Sequence, residues 1–283
     1  YNLTNDGAAV GLFANRNHQA TLLACLFPLL AGYTMSGVSS PEQARSKGIT
    51  AIAAAIFLLP LILVTGSRSG LVLAIIGALL ALLIYKAPKV GVVKRRRPKS
   101  RVAVYAIAGL GAITLGAITI LMSRAQAVSR LSSRNAVEDL RLQIWEPIAE
   151  LSMGYLPVGS GVGSFAFTYR VYEPDSQLMT SYINQAHNDF VDVFLTAGAP
   201  GLLILIFALA SVARVGLIAF GKSQNDSRSL LFIILVFFFF VLISISSFTD
   251  YPVRTPIVSA ILSICMLWMF AFRKSPAEKA GTC

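Results

Sequence analysis

Long apolar runs recur along almost the whole chain, and they restrict it to one fold class. Several of these runs exceed the roughly 18 apolar residues that a membrane-spanning helix requires. Hydrophobic residues make up 55% of the sequence and charged residues only 13%, which is far from the composition of a soluble domain. The sequence therefore predicts an all-α integral membrane protein, a polytopic bundle of transmembrane helices.

The apolar runs divide into seven predicted spans within one membrane domain, residues 1–283. The turn GSRSG between the second and third spans is so short that we expect an antiparallel helical hairpin, with Arg68 at its tip. Because the chain begins at Tyr1, we expect it to be the C-terminal part of a longer polytopic protein. The spans cover about residues 21–35, 49–65, 71–85, 102–122, 200–220, 230–248 and 257–272.

A strongly basic segment sets the predicted orientation of these spans. Residues 86–101 hold eight basic residues and no acidic one, and the net charge of the chain is +11. Basic segments between spans favour the cytoplasmic side and can contact anionic lipid headgroups. We therefore place this segment inside and exclude nucleic acid as a partner.

The longest polar segment, residues 123–188, then lies at the opposite, outer face as one large loop that contains short helices. It carries five arginines and six acidic residues, a net charge of −1. Charged groups near the apolar zone are costly, so several cations at one face predict a polar cavity or a bound anion. Six candidate residues fall at this face: Arg16, His18, Arg68, Arg141, His187 and Arg254.

Arginine at a helix start is the most informative of these features. The N-terminus of a helix already attracts anions, so a cation such as Arg68 is misplaced there unless it shares an anionic ligand. Arginine also binds phosphate through two parallel, charge-assisted hydrogen bonds. For Arg16 and Arg254 the alternative is simpler, because arginines at helix ends also reach towards lipid headgroups.

Within the outer loop, Asn135 and Glu138 predict a capping box at the start of an amphipathic helix. Arg141 and Trp145 lie four residues apart on the flank of its apolar stripe, which would direct Arg141 towards the bundle. The alternative for Arg141 is an exposed ion pair with Glu138, which contributes little energy. Pro147 is expected to kink or restart this helix.

The segment GSGVGSF predicts a compact turn, or a close backbone approach to a sugar or diphosphate, rather than a dinucleotide site, since no βαβ unit surrounds it. Several aromatic side chains that follow can stack on sugar rings or belong to an interfacial aromatic belt. They are Phe165, Phe167, Tyr169, Tyr172 and Tyr182.

The segment NQAHNDF places His187 just before a helix that we predict to be capped by Asp189 and to break at GAPG. A histidine there can orient or deprotonate a hydroxyl nucleophile, because imidazole side chains exchange protons near neutral pH; the alternative is a solvated interfacial histidine. Asn184 and Asn188, which flank it, are predicted substrate contacts together with Arg16, His18 and Arg254.

Several of these motifs, in this order, resemble the O-antigen ligase and O-antigen polymerase superfamily of bacterial inner membranes. The resemblance covers nearly the whole chain. It does not distinguish ligase from polymerase, and the second histidine of many relatives is replaced here by Gln185. The motifs are LFANRNHQATLL, TGSRSGL, the R-x-x-x-W of Arg141 to Trp145, PVGSGVGSF, NQAHNDF and GAPGLL.

The resemblance implies a metal-independent, inverting glycosyltransferase with a helical membrane fold related to the C-type glycosyltransferases. Its donor would be a glycan on undecaprenyl diphosphate, its acceptor the lipid A core or another glycan, and its active site would face the periplasm. Arg68 and Arg141 would hold the diphosphate, and His187 would orient or activate the acceptor hydroxyl. A diphosphate is already a good leaving group, so positioning and charge stabilisation suffice, and no metal or other cofactor is expected.

Two alternatives remain open at this stage. Transfer to a second lipid-linked glycan, or to protein hydroxyls, would need the same residues as transfer to lipid A core. A transporter for a polysaccharide or small anion would place its polar groups near the bilayer midplane, often in repeated halves. The polar residues here gather at one interface instead, which favours an enzyme.

Overall fold

A computed structural model describes residues 9–86, 114, 143–175, 178, 183–221 and 228–273. Every regular element in these ranges is helical, as the apolar pattern predicts. Three predictions concern residues outside the described ranges: the fourth span, almost all of the basic segment, and the capping box at Asn135. Contacts divide the chain into two compact units, Tyr1–Ser132 and Ser133–Cys283.

Residues 9–86 of the first unit form three helices, each preceded by a polar residue. Side chains of Asn15, Ser40 and Ser67 accept a hydrogen bond from a backbone N–H in the first turn that follows, which satisfies a donor that has no partner within the helix. The tight turn predicted before the third helix is present, with Gly66 in the left-handed region at φ 61°. The helices are α1 Arg16–Met35, α2 Pro41–Thr65 and α3 Arg68–Ile84.

Helices α1 and α3 run in parallel. At one end the Ser67 hydroxyl donates to Asn17 Oδ1 at 2.7 Å. At the other end the Lys86 N–H contacts Met35 Sδ at 3.2 Å. Gly70 permits the close approach, because a Cβ at that position would collide with Ala20. The N-termini of both helices therefore lie at the same face of this unit.

Helix α2 begins eight residues earlier than the predicted span, at Pro41 rather than Ile49. Ser40 accepts from the Gln43 N–H at 3.2 Å, and Gln43 Oε1 accepts from the Ser39 N–H at 3.0 Å. The first bond caps the helix, the second ties the preceding residue to its first turn, and Pro41 suits the first helical position. The segment expected to be a polar loop is thus partly helix.

The described residues of the second unit form two short helices and three long ones. The helices are α4 Trp145–Gly154, α5 Phe165–Tyr172, α6 Asp189–Gly221, α7 Arg228–Ser247 and α8 Pro256–Arg273, with a 3₁₀ turn at Pro252–Arg254. Pro147 lies in the first turn of α4, as expected for a helix that restarts there. The long helices α6, α7 and α8 agree with the last three predicted spans to within a few residues, apart from an additional helical segment at the start of α6.

A small apolar core joins α4, α5 and the start of α6. It shows that the loop region is folded onto the membrane helices of its own unit. Predicted stripe residues Ile144 and Ile148 are buried in it, and Leu151 is partly buried. The buried members are Ile144, Ile148, Phe165, Tyr169, Ala186 and Leu195.

Three of the described helices are long and apolar enough to cross a membrane, namely Pro41–Thr65, Asp189–Phe220 and Ser229–Ser247. Arg68–Ile84 and Pro256–Ala271 are apolar but shorter. The structure is therefore that of a helical membrane protein. The alternation of seven spans stays a prediction.

Candidate active site

In the first unit, two arginines occupy equivalent positions at neighbouring helix starts. Arg16 is the first residue of α1 and Arg68 is the first residue of α3. The bond between Asn17 and Ser67 holds these two N-termini together. Both arginines therefore lie at the same end of this unit, next to helix N-termini that carry positive partial charge. That Arg16 and Arg68 bind an anionic substrate stays a prediction.

His18 does not share this position. It is only 2% exposed, its ring packs edge-on against Phe13 at 6.1 Å, and Nε2 lies 3.4 Å from the Asn15 amide nitrogen. These contacts place His18 inside the unit beside the residue that caps α1. The contact between His18 and substrate stays a prediction, and the structure shows this side chain buried at the start of α1.

In the second unit, His187 faces a buried carboxylate that the sequence analysis missed. His187 Nδ1 lies 3.5 Å from Asp250 Oδ1, which is beyond a normal hydrogen bond and within ion-pair range. Asp250 is fully buried, whereas the His187 side chain is 22% exposed. The Tyr251 ring packs on the imidazole, with 5.1 Å between ring centroids. A carboxylate at Nδ1 favours the tautomer whose other nitrogen, Nε2, can accept a proton.

The backbone around His187 is held on both sides. His187 itself has a left-handed backbone at φ 49°, which is uncommon for a residue with a side chain. Before it, the Trp145 indole donates to the Ala186 carbonyl at 3.2 Å. The predicted R-x-x-x-W motif thus contributes its tryptophan to positioning the histidine loop. Arg141, the other residue of that motif, lies outside the described residues.

After the histidine, Asn188 caps α6. Its Oδ1 accepts from the Phe190 and Val191 N–H groups at 3.0 and 3.2 Å, and its amide donates to the Phe248 carbonyl at 3.2 Å. The prediction that Asp189 caps this helix is therefore wrong. Asn188 is 4% exposed, and these bonds give it a structural role. Its predicted contact with substrate stays a prediction. Asn184 is exposed and open to a ligand.

Arg254 has a carboxylate partner within its own unit. Its predicted contact with substrate stays a prediction. Its guanidinium forms an ion pair with Asp192, in the first turn of α6. The Asp192 side chain is 1% exposed, so its charge is compensated mainly by this arginine. Arg254 therefore lies near the histidine segment, but its charge is directed at a carboxylate of the protein.

The glycine-rich turn packs against the break in α6. Gly198 leaves helical geometry at φ 56° and ψ −150°. The carbonyls of Leu195 and Thr196, just before this break, accept from the N–H groups of Ser160 and Gly161 at 2.9 Å each. Gly159 lies so close that a Cβ there would be 2.6 Å from the Gly198 nitrogen. The predicted compact turn is confirmed, and it satisfies helix carbonyls that the break exposes.

The aromatic side chains divide into two groups. Phe165 and Tyr169 are 1% exposed and stack on each other, 5.6 Å apart and 10° from parallel, so they are core residues that no sugar reaches. Burial, and then the nearby Glu173 carboxylate, raise the pKa of Tyr169 to about 12. Phe167 and Tyr172 are exposed. Tyr182 lies outside the described residues.

Comparison with known proteins identifies the family. A family model described as O-antigen ligase matches residues 53–206, which is more than half of the chain. The chain belongs to the O-antigen ligase family. Membership implies a membrane enzyme of the glycosyltransferase type that uses a lipid-linked glycan and an acceptor in polysaccharide biosynthesis.

The matched range includes Arg68, Arg141 and His187, but not Arg16, Asp250 or Arg254. The roles of those last three residues therefore depend on the geometry of this chain alone. A search of curated proteins found no match.

Proposed function

We propose that this O-antigen ligase family member transfers a glycan from undecaprenyl diphosphate to an acceptor hydroxyl. The reaction would take place at the periplasmic face of the bacterial inner membrane. The observation that carries the proposal is the pairing of His187 with the buried Asp250 at the start of a helix long enough to span a membrane. A histidine held by a carboxylate is a general base, and an acceptor hydroxyl is a substrate that needs one.

The first unit supplies groups that suit the donor. Arg16 and Arg68 lie at two adjacent helix starts, and arginine matches the oxygen geometry of phosphates. When the bond to the glycan breaks, negative charge grows on the diphosphate, and these cations would stabilise that charge. By resemblance to the family, Arg141 would assist them. This division of roles needs no metal ion.

The proposed chemistry is a single displacement with inversion. The acceptor oxygen attacks the anomeric carbon while its proton passes to His187 Nε2. The bond between the anomeric carbon and the diphosphate oxygen breaks, and its electron pair stays on the undecaprenyl diphosphate. Asp250 would offset the positive charge that develops on the imidazole, as a carboxylate does beside a catalytic histidine.

The test begins with deletion of the gene and separation of the surface glycans on a gel. Loss of all attached glycan would indicate transfer to lipid A core, whereas retention of one repeat unit would indicate a polymerase. We then expect complementation with Arg68→Ala, Arg141→Ala or His187→Ala to fail, although each protein still inserts in the membrane. For His187→Ala the rate of transfer should fall by about 10²–10⁴-fold, the usual contribution of a general base.

Arg45→Ala is a matched control for Arg68→Ala, because Arg45 is an exposed arginine of the same unit. It should restore the normal glycan ladder. Normal ladders from both Arg68→Ala and His187→Ala would contradict the proposed mechanism. If the deletion strain still attaches glycan to its acceptor, but glycan accumulates on one side of the inner membrane, the protein would be a transporter.

A further inference from the structure

The segment that follows α7 contacts the start of α6 at four places along α6. Two of these contacts are described above, His187 with Asp250 and Asn188 with the Phe248 carbonyl. Between them and the far end, Asp189 Oδ2 accepts from the Ser247 hydroxyl at 2.8 Å and from the Val253 N–H at 3.4 Å. The ion pair of Arg254 with Asp192 closes the far end.

We infer that Arg254 and Asp192 are positioning residues that keep Asp250 opposite His187. This inference rests on the proposed role of His187 as the base. It assigns Arg254 a function different from the phosphate contact expected of an arginine at this face. It also gives a function to Asp192, which lies in the first turn of α6.

The short distance along the chain explains how Arg254 can act on Asp250. The Tyr251 N–H donates to Asp250 Oδ1 at 3.0 Å, and the Arg254 N–H donates to the Tyr251 carbonyl at 3.2 Å. The 3₁₀ turn Pro252–Arg254 lies between them. Because these bonds are consecutive, a shift of Arg254 moves the backbone that sets the direction of the Asp250 carboxylate.

Burial and charge explain why Arg254 and Asp192 are paired. Asp192 is almost fully buried, and its acidic neighbour Asp189 lies in the same helix turn, so an unpaired Asp192 would be strongly unfavourable. Arg254 is the cation that faces it, with 30% of its side chain exposed. Removal of either partner leaves a buried charge or a released arginine, and both outcomes loosen the end of the segment nearest Arg254 from α6.

The first experiment measures glycan transfer by the full-length protein in membranes, using the lipid-linked donor. We expect Arg254→Gln and Asp192→Asn to lower kcat by a similar factor, about 10²-fold, because an error of about 1 Å in catalytic geometry costs that much. The KM for the donor should stay unchanged. The double variant should be no worse than either single variant, because both act through one pair.

A phosphate ligand would behave differently. If Arg254 binds the donor, Arg254→Gln raises the KM, and Asp192→Asn leaves kcat unchanged while it frees the arginine. That result would overturn the inference. The exchanged variant, Asp192→Arg with Arg254→Asp, places a carboxylate at position 254 that cannot bind phosphate, so its recovery of kcat supports positioning.

A second readout does not depend on activity. Diethyl pyrocarbonate modifies exposed neutral imidazoles, the chain has two histidines, and the other one, His18, is 2% exposed. Labelling of the peptide that contains His187, followed by mass spectrometry, should be faster in Arg254→Gln and Asp192→Asn than in the wild type. Arg170→Gln removes an exposed arginine of the same unit and should label at the wild-type rate.

The two readouts separate the inference from the proposed function. Faster labelling in Arg254→Gln, together with normal transfer by His187→Ala, would keep the positioning pair and reject His187 as the base. Wild-type labelling in both single variants, together with loss of transfer by His187→Ala, would keep the base and overturn the positioning pair.

Discussion

Asp250 has no exposed surface, yet its carboxylate faces a histidine that is one-fifth exposed. A buried carboxylate is unfavourable unless it is paired or hydrogen-bonded, and His187 is one of the groups that face it. Its Oδ1 also accepts from the Tyr251 N–H, which fixes the carboxylate direction. This combination is what a residue that orients a catalytic base requires.

Replacement of Asp250 by asparagine tests this role. The amide oxygen of the new side chain can still accept from the Tyr251 N–H, so the loop should fold as before. The negative charge is lost, however, and we expect kcat for glycan transfer to fall by about 10²-fold with the donor KM unchanged. Measurement of transfer in membranes that contain equal amounts of protein gives the answer. An activity near that of the wild type would show that His187 acts without Asp250.

The sequence permitted prediction of where some candidate residues lie, and not others. The place of Arg68 was predictable because the turn GSRSG fixes both the helix start and the arginine in it. Asp250 was not, because its partner His187 lies far away along the chain and no local spacing marks the pair. Arg254 drew attention by its charge, and only the structure shows that a carboxylate already receives that charge.

At the scale of elements, two glycine segments that are distant in sequence, the turn around Gly159 and the break at Gly198, pack against each other and form what we call a joint. The break at Gly198 leaves helix carbonyls without helical partners, and the turn around Gly159 supplies N–H groups to them. Each glycine occupies the space that a Cβ of the other would need. This joint sets where the first turns of α6, with Asp189 and Asp192, stand relative to its apolar part.

Substitution of Gly198 by alanine should disrupt the joint. Its backbone angles lie in a region that is nearly restricted to glycine, and the new Cβ would collide with the Pro157 carbonyl. We expect a loss of about 3 kcal/mol in the free energy of unfolding and a fall of roughly 5–10 °C in melting temperature in detergent. Gly154→Ala is the matched control, because open space surrounds that glycine. Equal melting temperatures for the two variants would contradict the joint.

Helix existence followed from the apolar runs, whereas some helix boundaries did not. The early start of α2 was available from the sequence, because Ser40, Pro41 and Gln43 form a capping signal that hydropathy alone overlooks. At α6 the choice between Asn188 and Asp189 as cap could not be made locally. Both are good caps, and Asp189 bonds instead to Ser247, far along the chain.

For the whole molecule, the proposed function depends on the side of the membrane on which His187 lies. The basic segment, residues 86–101, predicts the cytoplasmic side for itself, and strict alternation of spans then places residues 123–188 outside. The parallel arrangement of α1 and α3 agrees with this alternation, because two spans separated by one other must run in the same direction. The same alternation applied to the later spans places Asp250 outside as well.

Cysteine labelling in intact cells tests that orientation directly. With Cys25, Cys265 and Cys283 replaced by serine, Val162→Cys gives a single thiol at a residue that is 88% exposed. A maleimide that reaches the periplasm but does not cross the inner membrane should label it, because the outer loop faces that compartment. Ser100→Cys, in the basic segment, should be labelled only after the inner membrane is permeabilised. Labelling of Ser100→Cys in intact cells would invert the topology and place His187 on the wrong side of the membrane for a periplasmic acceptor.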